Sequence, residues 1–416
     1  AGAIAALAAR RRAARVVLAR RASGATALSS GAVGAAPDAG AAPGAPFAAR
    51  LGPLAAARHL AASRPEHPYA ALGPALDALE EALAFAAAEL PDLLAPPPPR
   101  PLFLATPFGG VCTAALAQRT MVAGDLATVR GALAVAGFRG HLGFDARLVA
   151  GGLSACEPMG GPRAVAVELD LFMREDLALA RPHELARALE APGAAEEAGR
   201  LLRRALPAGA AAALLPPVLG LAPGARVAER LAEAAGVPVA ETLSDVPSVP
   251  GLRLQAALDA RLGAAGVEVV PGEVTLEPGA RPGDAARAGG RTVRARSWVL
   301  ATGGFVGGGI ARRGRLVEPL LDLPVEVAGA GVSGPHLAAR PAAALTARER
   351  RAPQPLLAAG VRVDRQLRPL SASGAPLHPR LFAAGAVVGG HEPAADGTGL
   401  GVAILTGYLA GAAAGS

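Results

Sequence analysis

The stretch Leu381–Gly411, "LFAAGAVVGGHEPAADGTGLGVAILTGYLAG", decides the fold. It opens as an apolar strand that reaches Gly385 and continues through a loop bearing Gly389, Gly390, Gly397 and Gly399. From Gly401 it becomes a helix of small residues. Glycines let a backbone approach a flat ligand closely, and a helix start offers N–H groups with no intrahelical acceptor. Strand, glycine loop and helix in that order make a site for an anion or a carbonyl oxygen.

Two more junctions of this kind stand upstream. In "VLATGG" (Val299–Gly304) a buried strand opens into Thr302, Gly303 and Gly304, where nothing obstructs a large partner. Trp298, just before it, reads as core rather than as a stacking residue. At the start of the chain, Gly2 precedes a helix whose Ala3, Ala5, Ala6 and Ala9 suit tight packing on a sheet. That is the role of the last glycine in a dinucleotide fingerprint.

Between these junctions helix and strand signals alternate. A helix over 2–14 leads to the strand "RVVLAR" (Arg15–Arg20), then to a long loop of small residues from Ala22 to Pro46. Pro74–Leu90 reads as an amphipathic helix, and "PLFLAT" after it as a strand. "GALAVAGFRG", "RAVAVELDL", "LARALE" and "AALLPPVLG" suggest a second α/β region. "GLRLQAALDARLGAAGVEVV" predicts a long helix, a stop at Gly266 and a strand. The alternation favours a largely parallel sheet covered by helices.

Composition narrows the function classes. At 416 residues, two domains are the default. Aromatics make up only 3%, and all 41 basic residues are arginines interspersed with 34 acidic ones. Nucleic-acid recognition, which wants clustered basic groups and stacking aromatics, is therefore not expected. A net charge of +7 still suits small anionic ligands. Cys112 and Cys156 have no metal-ligand spacing and read as buried hydrophobes, so neither a metal site nor a disulfide framework is expected. The apolar run over 209–224 is interrupted by Pro216 and Pro217 and is too short to cross a bilayer.

The junctions, in this order, resemble flavoproteins of the glutathione-reductase-like superfamily with two dinucleotide-binding domains, in its fumarate-reductase-like branch. Within that branch the chain is similar to the B subunits of anaerobic glycerol-3-phosphate dehydrogenase. The likeness rests on "ALSSGAVG" (Ala27–Gly34), "HPYAAL" (His67–Leu72), "TPFGG" (Thr106–Gly110) and "PSVPGLRLQAAL" (Pro247–Leu258). It also rests on "VLATGGFVGGGIARRGRLVEPLLDLPVE" (Val299–Glu326) and on Leu381–Ile404. It covers nearly the whole chain and is weakest between Gly131 and Leu221. It implies an α/β protein: a Rossmann-like flavin/dinucleotide-binding domain with an inserted second α/β domain. Residues 1–60 would begin the flavin domain, 61–245 would form the insert, and 246–416 would complete the flavin domain, with part of a cap near 315–375.

The family oxidises sn-glycerol 3-phosphate to dihydroxyacetone phosphate and passes electrons to a quinone. The resemblance implies a flavoprotein subunit for electron transfer or support, working with a catalytic flavoprotein A subunit and an iron–sulfur subunit that anchors to the membrane. The expected location is cytoplasmic, peripheral on the inner face of the cell membrane through partners, with no transmembrane segment of its own. Two alternatives stay open: a non-redox scaffold for a catalytic partner, and a stand-alone fumarate-reductase-like FAD oxidoreductase.

Two departures bear on the cofactor. Dinucleotide units end their second strand in an acid that holds the ribose, whereas this strand ends Ala19-Arg20-Arg21. Arginine cannot accept hydrogen bonds from a ribose but can meet a phosphate, so FMN is expected, with FAD as the alternative. The first fingerprint strand and the first two fingerprint glycines are also missing before Ala1: either about ten further residues precede it, which is the expectation, or the flavin phosphate site is incomplete. The expected cofactor-binding positions are Gly2, Arg20, Ser29, Ser30, Gly31, Ala301, Thr302, Gly303, Gly304, Gly385, Gly389, Gly390, Gly399, Leu400 and Gly401. Alcohol oxidation needs a base near the hydroxyl, and a phosphate needs arginines, which makes Arg313, His391 and His67 the catalytic candidates.

Overall fold

A computed structural model describes residues 1–36, 44–171, 180–329, 332–334, 338–349, 352, 354–393 and 395–416. Part of the expected loop over Ala22–Pro46, residues 37–43, lies outside them. Helix α1 (Gly2–Arg11) leads into strand β1 (Val17–Arg20). The loop that follows is not structureless: it holds a 3-10 turn, Ala25–Leu28, and a short strand, Ala32–Val33. The helix expected over Pro74–Leu90 is a 3-10 turn, Gly73–Ala78, that continues into α2 (Leu79–Glu89). Leu79, Ala82, Leu83 and Ala86 form the buried stripe of α2, at helical spacing.

The insert is a four-stranded parallel sheet. Its strands are β2 (Ala132–Phe138), β3 (Arg163–Leu169), β4 (Ala210–Leu215) and β5 (Val239–Glu241), in the order β3-β2-β4-β5. Helix α3 (Ala146–Ser154) covers one face, where Leu133, Val135, Val149 and Leu153 share a core. Helices α4 (Ala194–Ala205) and α5 (Val227–Ala235) cover the other, with Ala134, Ala136, Leu202 and Leu231. Cover on both faces explains why every residue of β2 is buried.

The chain returns through α6 (Val249–Ala264), capped by the Ser248 hydroxyl, which accepts the Gly251 N–H at 2.9 Å. Gly266, at φ +68°, ends the helical path and feeds β6 (Glu268–Pro271), which pairs in parallel with β1. A second parallel pair joins β7 (Trp298–Leu300) to β8 (Leu381–Ala383), in the register Val299 to Phe382. Helix α7 (Gly399–Ala414) closes the chain. Four antiparallel sheets make up the rest of the described strands: one over 274–294, a five-stranded one over 311–361, and two small pairs, Ala32–Val33 with Leu116–Ala117 and Leu102–Ala105 with Val111–Ala114. The Rossmann-like flavin fold with an additional α/β region therefore stands as expected.

Two details differ from expectation. Residues 56–94 belong to the first domain, because Ala57, Tyr69, Leu79 and Leu83 share its core with Ile4, Leu300, Val402 and Leu405. The insert with its own cores thus begins well after residue 61. Nor is the first domain's parallel sheet continuous among the described residues. It is two pairs, β1–β6 and β7–β8, with no hydrogen-bonded ladder between β1 and β7.

One buried arginine joins insert to flavin domain. Arg253 of α6 donates to Glu241 Oε1 at 2.7 Å, Gln118 Oε1 at 2.8 Å and Thr120 Oγ1 at 3.1 Å. Its Nε and Nη2 reach the Gly220 carbonyl at 2.9 and 2.5 Å. Glu241 closes the set by accepting the Leu219 N–H at 3.0 Å and the Thr120 hydroxyl at 2.6 Å. Sequence reading passes over Arg253, although its place beside Leu254 and Ala257 on the apolar side of α6 is the available signal.

Candidate functional site

The two parallel pairs share one cavity of about 2650 Å³. That is more than twice the ~300–1,000 Å³ of ordinary small-molecule sites. The excess arises because the cavity follows the strands themselves, with residues 16–21 and 297–302 lining it in unbroken succession. Helix α1 bridges the two pairs: a Cβ on Gly2 would meet Ala301 Cβ at 3.3 Å and Leu18 Cδ1 at 3.6 Å.

Most expected cofactor positions meet here. Gly2, Arg20, Ser29, Ser30, Ala301, Thr302, Gly303, Gly304, Gly385, Gly399 and Leu400 all line the cavity. Gly31, Gly389, Gly390 and Gly401 do not, and their glycines serve chain packing instead. A side chain on Gly31 would strike Met121 and Pro250, and one on Gly389 would meet the Gly360 backbone at 2.9 Å. One on Gly390 would strike the Glu66 carbonyl, and one on Gly401 the Gly34 carbonyl.

The two arginines at the end of β1 part company. Arg20 Nη1 pairs with Asp259 Oδ1 of α6 at 2.5 Å, and Gln255 Nε2 donates to the same oxygen at 2.8 Å. Arg21 forms no ion pair among the described residues, and its Nη2 lies 3.3 Å from where a Cβ of Gly308 would stand. Cys112, expected to be buried, is exposed on the cavity wall, whereas Cys156 is buried. Trp298 is only half-buried and lines the cavity too.

Of the catalytic candidates only Arg313 lines the cavity, at the tip of the hairpin that ends in Glu318. Burial pushes the Glu318 carboxyl upward, while N–H bonds from Leu321 (2.9 Å) and Leu320 (3.1 Å) and the Arg313 charge oppose the shift. His67 and His391 come together, their ring centroids 5.8 Å apart, but both are buried and neither faces the cavity. Their neighbours Glu392, Pro393, Gly399 and Leu400 form the wall instead. Arg64 ties this wall segment down through Asp396 Oδ1 at 2.5 Å.

Burial holds the His391 imidazole down to about 4, helped by the Arg64 charge and partly offset by the Val388 backbone. Burial, then His391 and Arg64, take His67 down to about 2. Both rings are thus neutral in the folded protein at pH 7. As pH falls below 6.5 the unfolded chain binds protons that the folded one refuses, so stability drops. The expected slope is roughly 1 kcal/mol per pH unit for each histidine, persisting to about pH 4 for His391 and lower for His67. Denaturant titrations from pH 7 to 4.5 check this, and His67→Leu/His391→Leu should flatten the curve whatever its absolute stability.

The lining suits a flavin dinucleotide. The Ser29 and Thr302 hydroxyls have no hydrogen-bond partner among the described residues and belong to wall residues. Gly399 and Leu400 lie in the first turn of α7, where N–H groups lack helical acceptors. A family model described as an FAD binding domain matches residues 1–402. The chain belongs to the FAD binding domain family.

That match overturns the expectation of FMN in favour of FAD. The physical error lies in reading Arg20 as a free phosphate ligand in place of a ribose acid. Its charge is met by Asp259, so a carboxylate does stand beside the end of β1, delivered by α6 rather than by the strand.

Among curated relatives, the probable B subunit of anaerobic glycerol-3-phosphate dehydrogenase from Halobacterium salinarum is 34% identical over 248 residues. That covers 56% of this chain and 51% of the relative. The B subunit of anaerobic glycerol-3-phosphate dehydrogenase from Yersinia pestis is 32% identical over 284 residues, 66% of this chain and 62% of the relative. The corresponding protein of Pectobacterium carotovorum is 31% identical over 283 residues, 65% and 62%. The chain thus resembles these B subunits while spanning about half the length of the first of them. No solved structure matches it. Among the described residues, no helix is long and apolar enough to cross a membrane, and no cluster of three metal-ligating side chains occurs.

Proposed function

We propose that this chain is the FAD-bearing B-type subunit of a quinone-linked sn-glycerol-3-phosphate dehydrogenase. In this reading it relays electrons for, or supports, a catalytic flavoprotein A subunit, with an iron–sulfur subunit holding the assembly peripherally on the cytoplasmic face of the membrane. The observation that carries it is the shared cavity, where two strand-to-glycine junctions, at Thr302–Gly304 and Gly385, meet the start of α7 and the Gly2 end of α1. Bound FAD would supply the redox chemistry. Gly2, Ser29, Thr302–Gly304, Gly385 and Gly399–Leu400 would hold and orient it.

A relay or supporting role is favoured over independent dehydrogenation by the catalytic candidates themselves. With His67 and His391 behind the wall, Arg313 is left without a histidine base at the cavity among the described residues. Purified protein tests the cofactor: it should show a flavin spectrum, and acid should release FAD. Flavin-free protein that rejects added FAD would favour the scaffold alternative.

A further inference from the structure

We propose that Arg21 is a specificity determinant for the dinucleotide, binding a phosphate on its adenosine side. The inference rests on the reading that FAD occupies the shared cavity. Ligands of parallel α/β sheets lie outside the carboxyl ends of the strands, and the end of the second strand of the unit meets the adenosine half. Arg21 directly follows β1 there and lines the cavity. The strand end carries two guanidinium groups, and the carboxylate beside it, Asp259, is spent on Arg20. Among the described residues Arg21 is left without an ion pair, although acids are interspersed along the chain.

Its position is also specific. Nη2 reaches the Gly303–Gly309 loop, lying 3.3 Å from the Cβ place of Gly308. This sets the guanidinium across the gap between the carboxyl ends of β1 and β7, the path that a dinucleotide must follow from one pair to the other. A guanidinium is always charged and meets two phosphate oxygens at once, which a ribose hydroxyl does not require. Arg20, neutralised by Asp259, positions the strand end, while Arg21 reads the ligand.

The test is equilibrium binding of FAD and, separately, of FMN to flavin-stripped wild type, Arg21→Ala, Arg21→Glu and Arg21→Lys. Arg21→Ala should weaken FAD binding about tenfold, Arg21→Glu should weaken it more, and Arg21→Lys should retain part of the affinity. FMN binding should stay within about twofold, because FMN lacks the adenosine-side phosphate. The FAD affinity of wild type should also fall more steeply with salt than that of Arg21→Ala. Equal losses for FAD and FMN would overturn the assignment to the adenosine side, and unchanged FAD affinity would overturn the contact altogether. Wild type that binds no FAD is a different failure, that of the cofactor reading itself.

Discussion

Arg253→Met is expected to lower the stability of this protein by about 3–5 kcal/mol, measured as a shift in the chemical-denaturation midpoint. The substitution roughly preserves volume, so lost packing is a minor part of the effect. What it leaves behind is the charge of Glu241, buried at 2% exposure with its cation removed. It also strands the Gly220 carbonyl, which accepts two hydrogen bonds from the guanidinium. Each orphaned buried group costs about 1–3 kcal/mol, and the uncompensated carboxylate costs more.

A second variant separates charge from packing. Adding Glu241→Leu to Arg253→Met removes the stranded charge, so the double variant should recover part of the loss. Full recovery is not expected, because Glu241 also accepts from Leu219 N–H and the Thr120 hydroxyl. An Arg253→Met protein within about 1 kcal/mol of wild type would show that the network is no joint between the domains. The same joint borders the cavity, since Ser244 N–H, just past β5, donates to the Ser30 carbonyl at 3.0 Å. Loosening it should therefore also weaken retention of FAD.

How much of this is legible in the sequence depends on how far each residue lies from its partner. The junction at Thr302–Gly304 can be read locally, because strand and glycines adjoin and the wall needs only their backbone. Gly389 and Gly390 look the same in the sequence, yet their missing side chains make room for Gly360 and for the Glu66 carbonyl. A string of glycines does not say whether a ligand or another piece of chain comes close. Arg20 and Arg21 are indistinguishable for the same reason: the difference is Asp259, 239 positions away. His67 and His391 do stand apart from ordinary surface histidines. Their meeting depends on a fold that buries both, and burial withdraws them from the cavity.

The packing of α1 on α7 yields the other large effect. Gly407, Gly411 and Gly415 recur every fourth residue and face Ala1, Ala5 and Ala9, which recur at the same interval. A Cβ on Gly407 would lie 2.7 Å from the Ala1 carbonyl oxygen, and one on Gly411 would fall closer still to that of Ala5. Backbone atoms cannot rotate aside, so the helices themselves would have to separate. Helix propensity alone would reward Gly411→Ala by up to about 1 kcal/mol, while forcing atoms into a packed interface costs about 1–3 kcal/mol or more. The clash should win, making Gly411→Ala destabilising and Gly411→Leu more so. Gly263→Ala on α6 is the control: it is exposed, with nothing within 4 Å of its Cβ place, and should gain about 0.5–1 kcal/mol. Because Gly399 and Leu400 at the start of α7 line the cavity, Gly411→Ala should also lose FAD more readily than wild type, which Gly263→Ala should not. Equal stabilisation by both alanines would mean that the two helices do not meet backbone to backbone.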